Sequence, residues 1–109
     1  MKLKEVMDEL KLEHVCGELD REVVHGYTCD LLSEVMGNAK PDTLWVTVQS
    51  HMNIIAVATI TGIRGIILCN GHDYDDQTIE KAKEEGITLF KTQENSFVVS
   101  GKLYALGLK

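Results

Sequence analysis

Residues 44–69 read LWVTVQSHMNIIAVATITGIRGIILC, three apolar segments parted by a polar turn and a glycine, and the folding of the middle segment decides the architecture. Leu44 to Gln49, built from Leu, Trp, Val and Thr, favours a strand. The turn before it is formed by Asp42 and Pro41, the only proline in the chain. Gly65 to Cys69 is a short apolar run of the kind that forms inner strands. Between them, Asn53 to Ile60 is apolar nearly throughout, so its periodicity alone settles nothing. Asn53 can cap a helix start, and Gly62 stands where such a helix would stop, which favours a buried helix. A strand, a helix and a strand in that order make a crossover unit with parallel strands.

The same alternation continues outward. Asp75 to Glu85 has an acidic start, helical spacing of Ile79 and Ala82, and Gly86 as its stop; Ile87 to Phe90 is a strand; Asn95 to Leu106 is a closing helix with Val99, Leu103 and Leu106 on one side. Upstream, Lys2 to Leu10 is an amphipathic helix carrying Leu3, Val6, Met7 and Leu10. Leu12 to Cys16 and Glu22 to Val24 read as two brief strands bounded by Gly17 and Gly26. Asp30 to Met36 is a helix with Thr28 or Asp30 as its start and Gly37-Asn38 as its stop. The expected class is α/β, a mainly parallel sheet with helices packed on it.

A chain of 109 residues, 44% hydrophobic, is sized for one domain, 1–109, with a real core. Its net charge of −6, with no window concentrating Lys and Arg, repels a phosphate backbone and argues against nucleic acid as a partner. No apolar run approaches the ~18 residues of a membrane span, and Met1 to Leu10 lacks a signal-peptide core, so a cytoplasmic protein without a membrane partner is expected. Cys16, Cys29 and Cys69 are odd in number and form no Cys-x-x-Cys pair, which suits a reducing compartment.

In a parallel sheet, ligands gather at the carboxyl ends of strands, where the following helices offer free N–H groups. Three polar turns qualify. Gln49, Ser50, His51 and Asn53 make one; Cys69, Asn70, Gly71, His72 and Asp73 a second; Thr92 to Ser96 a third. The amide, hydroxyl and imidazole groups of the first two suit an anionic or amide-bearing small ligand, provided that the two turns line a shared pocket. The plainer reading is that Asn53, Asp73 or Asp75, and Asn95 or Ser96 cap helices, and that Gly71 supplies a left-handed turn. Cys69-x-x-His72, even with His51 and Asp73 nearby, supplies half a recognisable zinc motif, so neither a metal nor another cofactor is expected. His14 and His25 sit in short strands and read as structural or surface residues. The chain contains no phosphate-loop, Gly-x-Gly-x-x-Gly, Gly-x-Ser-x-Gly or His-Glu-x-x-His motif, and a Cys29/His25 nucleophile pair would have unconstrained geometry. No catalytic residue is expected.

Leu19-Asp20-Arg21-Glu22-Val23, Gly26-Tyr27, Asp30 to Met36 and Gly37-Asn38-Ala39 resemble the core pattern of the DRTGG domain family. Trp45-Val46-Thr47, Gln49, His51, Asn53-Ile54 and Cys69-Asn70-Gly71 resemble the later blocks of its stand-alone members, so the likeness spans nearly the whole chain. Where many relatives carry Thr-Gly-Gly this chain has Val24-His25-Gly26, and where a proline often follows the histidine it has Met52. The resemblance implies a three-layer α/β/α fold like the amino-terminal domain of HPr kinase/phosphorylase. It also implies a regulatory module, found elsewhere beside phosphotransacetylase domains and between nucleotide-binding CBS domains of some pyrophosphatases, where it helps form dimers. The serine-kinase label given to some relatives has no support here, because that chemistry belongs to a separate phosphate-loop domain.

Within the opening motif, Asp20 and Arg21 are expected to pair and pin a strand turn, Gly26 to permit a break, and Leu31, Leu32, Val35 and Met36 to bury the helix after Asp30. An anchoring or intersubunit role for Arg21 would need burial or a partner chain. The leading functional reading is a regulatory or ligand-sensing homodimer for a nucleotide or other phosphorylated metabolite. The alternatives are a scaffold docked on a larger partner enzyme, and an enzyme acting through His51, Asn70 or Cys29.

Overall fold

The computed structural model describes residues 1–109, and the chain runs α1 (Leu3–Leu10), β1 (Glu13–Cys16), β2 (His25–Thr28), α2 (Leu32–Asn38), β3 (Thr43–Thr47), α3 (Asn53–Thr61), β4 (Gly65–Leu68), α4 (Asp76–Glu85), β5 (Thr88–Lys91) and α5 (Ser96–Leu106). The ambiguous middle segment is therefore a helix. Its apolar composition follows from position, since Ile54, Ile55, Val57 and Ala58 are all buried against the sheet. Gly62 closes it at φ +79°, the left-handed geometry that glycine adopts without a Cβ penalty.

The five strands lie in the order β1-β5-β4-β3-β2, with β1 antiparallel to β5 and every other pair parallel. Strands β3 and β4 are buried along their full length, which is why they read as continuous apolar runs rather than as an alternation. Their side chains still alternate between two cores. Trp45, Ile66, Leu68 and Leu89 face one side with Val35, Ile54, Ile55 and Ala82 of α2, α3 and α4. Leu44, Val46, Ile67 and Phe90 face the other with Leu3, Val6 and Leu10 of α1 and Val99 and Leu103 of α5. The result is an α/β/α sandwich. Crossovers between parallel strands are right-handed, so three successive steps in one direction put α2, α3 and α4 on the same face. After β5 the chain changes sides.

Local signals placed several boundaries well. Asp75 caps α4 by accepting the backbone N–H of Thr78, and Asn95 caps α5 by accepting that of Val98. Other expectations need correction. The strand expected at Glu22 to Val24 falls at His25–Thr28 instead: Glu22 makes one isolated bridge to Lys2, and Val23 is buried while its N–H donates to the carbonyl of Met1. Val23 thus serves the α1 layer, and Gly26 is an ordinary strand residue opposite Leu44 rather than a break. Neither Thr28 nor Asp30 caps α2, which begins after Leu31 without a side-chain cap. That helix sits at the sheet edge and buries Val35 fully and Leu32 in part, leaving Leu31 and Met36 exposed. Asn53 does not cap α3; its own N–H is accepted by His51 Nδ1 at 3.2 Å.

Candidate crevice at the carboxyl ends of β4 and β5

The helix after β4 packs on one face of the sheet and the helix after β5 on the other, so the two turns diverge and leave a crevice at the carboxyl ends of the strands. The turns are stitched together at their base. Asn70 N–H donates to the Glu94 carbonyl at 2.9 Å, Gly71 N–H to Thr92 at 3.0 Å, and Thr92 N–H to Leu68 at 2.9 Å. Asn70 (φ +62°) and Gly71 (φ +70°) are consecutive left-handed residues. Asn tolerates and Gly favours that conformation, which turns the chain sharply enough for the stitching. Below them the buried Tyr74 hydroxyl donates to the Phe90 carbonyl at 2.8 Å, tying the loop to β5.

The crevice opens toward the carboxyl end of α1 as a cavity of about 610 Å³, lined by polar residues and Leu10. Lys11, Lys91 and Lys102 line it from the end of α1, from β5 and from α5, alongside four carboxylates, Glu9, Glu13, Asp73 and Glu94. Glu13 and Lys91 are register partners in the β1–β5 pairing, which is what brings the amino-terminal strand to the site. Lys91 Nζ contacts the Asp73 carboxylate directly and Glu13 at 3.5 Å. The hydrogen bond with Asp73 is the main reason that its ammonium titrates above the ordinary lysine value. Lys102 Nζ lies 2.9 Å from Glu94 Oε1. An incoming anion would compete with Asp73 and Glu13 for Lys91 and with Glu94 for Lys102, and lysine, a compact charge with rotatable donors, is suited to such an exchange.

The expected site residues are not all brought together. Gly71 and His72 line the cavity, and Asn70 stands exposed at the stitched base. The Cys69 side chain is fully buried in the core under α1 and α5, where desolvation pushes its thiol up to about 11, so its place among the ligand-facing residues is corrected. Gln49, Ser50, His51 and Asn53 lie outside the cavity, and the shared pocket expected of the two turns does not form. The reason is topological: α3 and α4 lie on the same face, so the turn after β3 stays with that layer. Thr78 Oγ1 of α4 donates to the Ser50 carbonyl at 3.1 Å, and Gln49 Nε2 donates to the Asp30 carbonyl at 3.1 Å. Asp30 in turn accepts from Thr47 Oγ1 at 2.8 Å and from Val48 N–H at 2.9 Å, which fastens the start of the β3–α3 turn.

Asp20 and Arg21 do not pair with each other. Neighbours in an extended chain point to opposite sides; Asp20 approaches Lys2 at 3.6 Å, and Arg21 approaches Glu18 at 3.8 Å and lies over Gly86. His25 Nδ1 lies 3.3 Å from the Lys109 carbonyl, whereas Cys29 Sγ turns to the Leu31 carbonyl, so the two make no nucleophile pair. No group of three His, Cys, Asp or Glu side chains converges as a metal site. The residues that sequence reasoning missed are Lys11, Lys91, Lys102 and Glu13. The one local hint was a lysine ending an otherwise apolar strand at Lys91.

Burial sorts the three thiols. Cys16 and Cys69 are buried and Cys29 is half-exposed. A thiol-reactive chromophore near pH 8 is therefore expected to titrate one rapid thiol in the native protein and all three in guanidinium. Two rapid native thiols would contradict the burial of Cys16 or of Cys69.

The DRTGG domain family matches residues 5–106. Among solved structures, the chain is similar to the CBS and DRTGG domains of the regulatory region of Clostridium perfringens pyrophosphatase, complexed with its activator diadenosine tetraphosphate. The TM-score is 0.70 at 17% sequence identity, covering 93% of this chain and 45% of that one, so this chain spans less than half the neighbour's length. At that identity the likeness concerns the fold. No curated protein matches the chain.

Proposed function

The chain belongs to the DRTGG domain family, and from that membership we propose that it is a cytoplasmic, non-catalytic regulatory module that senses a small anionic metabolite or nucleotide and acts as a homodimer. The observation that carries the reading is the crevice where the turns after β4 and β5 diverge, with Lys11, Lys91 and Lys102 lining a cavity of about 610 Å³. Its size suits a small molecule, and its position follows the general rule for ligand sites in open α/β sheets. The neighbouring pyrophosphatase region, whose activator is a dinucleoside polyphosphate, supports a regulatory role for this kind of domain. The lack of a phosphate loop supports a role short of phosphoryl transfer.

Binding to the native state alone would stabilise the protein by mass action. At ten times the dissociation constant the gain is about 1.4 kcal/mol, which in a domain of this size raises the melting temperature by roughly 6–11 °C. Thermal shift with ATP, diadenosine tetraphosphate, pyrophosphate and orthophosphate is expected to show such a rise for at least one of them. The rise should shrink as sodium chloride increases and should be lost in Lys91→Met, which keeps the aliphatic stem and removes the charge. No rise with any of the four at 5 mM would overturn the sensing role.

A further inference from the structure

We propose that Arg21 and Arg64 form a second anion site, at the amino ends of the parallel strands, that takes a tetrahedral oxyanion such as a phosphoryl group. It lies at the opposite end of the sheet from the lysine crevice and stands independently of it.

These are the only two arginines in the chain, and they lie far apart in sequence. Both nevertheless line one cavity of about 290 Å³, together with Glu22, Val24 and Asp42. The segment between β1 and β2 carries Arg21 there by crossing below the strand starts. The Glu18 carbonyl accepts from Thr88 Oγ1 at 2.6 Å, the Arg21 carbonyl from Leu3 N–H at 2.9 Å, and Val24 N–H donates to the Asp42 carbonyl at 3.0 Å. Arg64 stands just before β4, where its N–H donates to the Thr43 carbonyl at 2.9 Å and its carbonyl accepts from Thr88 N–H at 3.2 Å. Both side chains therefore start from pinned backbone.

The carboxylates in the wall are already engaged. Asp42 Oδ1 takes Arg64 Nε at 2.9 Å, which leaves the terminal nitrogens of Arg64 as donors, and Glu22 lies 2.9 Å from the amino group of Met1. Arg21 is the cation without adequate employment. Its Nε is enclosed by protein and has no hydrogen-bond partner, and Glu18, the carboxylate beside it, stands 3.8 Å away. One of its terminal nitrogens rests against Gly86, at the carboxyl end of α4. Buried polar groups are nearly always paired in native proteins, and leaving a charged one unpaired is costly. An oxyanion in the cavity would draw the guanidinium off Gly86 and supply the missing acceptor.

The two arginines also select the ligand. One guanidinium fork matches the two oxygens of a carboxylate, whereas a phosphoryl group has three oxygens to divide between two forks. The cavity is at the small end of the range for ligand sites, which suits phosphate or a small phosphate ester rather than a nucleotide. Two cations and two carboxylates leave the wall neutral overall, so the expected affinity is modest.

Arginine Nε–H groups give separate signals in a proton–nitrogen correlation spectrum, and Arg64→Lys identifies which of the two belongs to Arg21. Titration of the full chain with sodium phosphate to about 50 mM, at matched ionic strength, is expected to move the Arg21 signal along a saturating curve with a dissociation constant in the low-millimolar range. Arg21→Lys keeps the charge and loses the fork, so it should weaken binding about tenfold or more, read from the backbone signals of Val24 and Arg64. Lys91→Met, in the crevice, should leave the curve unchanged. The same spectra report whether each variant is folded. Saturation by sodium acetate at lower concentration than by phosphate would overturn the phosphoryl assignment. No saturating movement of the Arg21 signal, a curve unaltered in Arg21→Lys, or its loss in Lys91→Met would overturn the site, and none of these outcomes bears on sensing in the crevice.

Discussion

Trp45→Ala is expected to lower the melting temperature by roughly 15–30 °C, a loss of about 3–5 kcal/mol from the total stability. Trp45 is fully buried in β3, between β2 and β4, and faces the layer formed by α2, α3 and α4. Truncation would remove the largest apolar body of that core. It would also remove the indole N–H that donates to the Cys29 carbonyl at 2.8 Å. Trp45→Phe keeps a six-membered ring but loses both the donor and part of the buried volume, so its cost should fall below that of alanine while including about 1–3 kcal/mol for the unpaired buried acceptor. Circular dichroism melts provide the comparison, since the chain has no other tryptophan to report by fluorescence. An alanine variant melting within a few degrees of wild type would contradict the packing described for β3.

Gly17→Ala is the second large effect, and its origin lies in the backbone rather than in lost volume. Gly17 has φ +97°, and a Cβ placed there would stand 2.5 Å from Thr88 Cα and 2.9 Å from Thr88 Cβ. Thr88 cannot easily yield, because it lies in β5 and its hydroxyl donates to the Glu18 carbonyl at 2.6 Å. A positive φ costs about 1–2 kcal/mol for a non-glycine residue, and displacing packed atoms a further 1–3 kcal/mol. Together these give about 3 kcal/mol, measured as a lower denaturation midpoint with an unchanged slope. Gly37→Ala provides the contrast. It sits in α2 with open space around it, so alanine should be neutral or stabilising by up to about 1 kcal/mol.

The parts of the architecture that local chemistry could announce were legible. Apolar composition and Gly62 were enough to place α3 between two strands although Asn53 does not cap it, and the caps at Asp75 and Asn95 stood at their expected positions. Residues whose partners lie far along the chain were not legible. Asp30 looked like a helix cap because acidic residues before an apolar periodicity usually are, yet its carboxylate fastens the far end of β3. The strand near Val23 was misplaced because β-branched composition marks burial, and Val23 is buried against the α1 layer rather than paired in the sheet. The crevice shows the same limit more sharply. Its turns after β4 and β5 were in view, but pairing them with Glu13 and Lys11 requires knowing that β1 runs antiparallel along β5. The turn after β3 was grouped with the turn after β4 on polarity alone, whereas the change of sides after β5 decides which turns share a space.

The strand order carries a consequence for how the chain is made. Strands β2, β3, β4 and β5 stand side by side in the order of their synthesis, so each can dock on its predecessor by closing a short loop as it leaves the ribosome. β1 has no such option. Its only neighbour is β5, so it must wait until residues 88–91 emerge, whereas α1 is tied to Leu19, Arg21 and Val23 long before that. During translation, Cys16 stays uncovered until Leu89 arrives, so a strand made early is seated late.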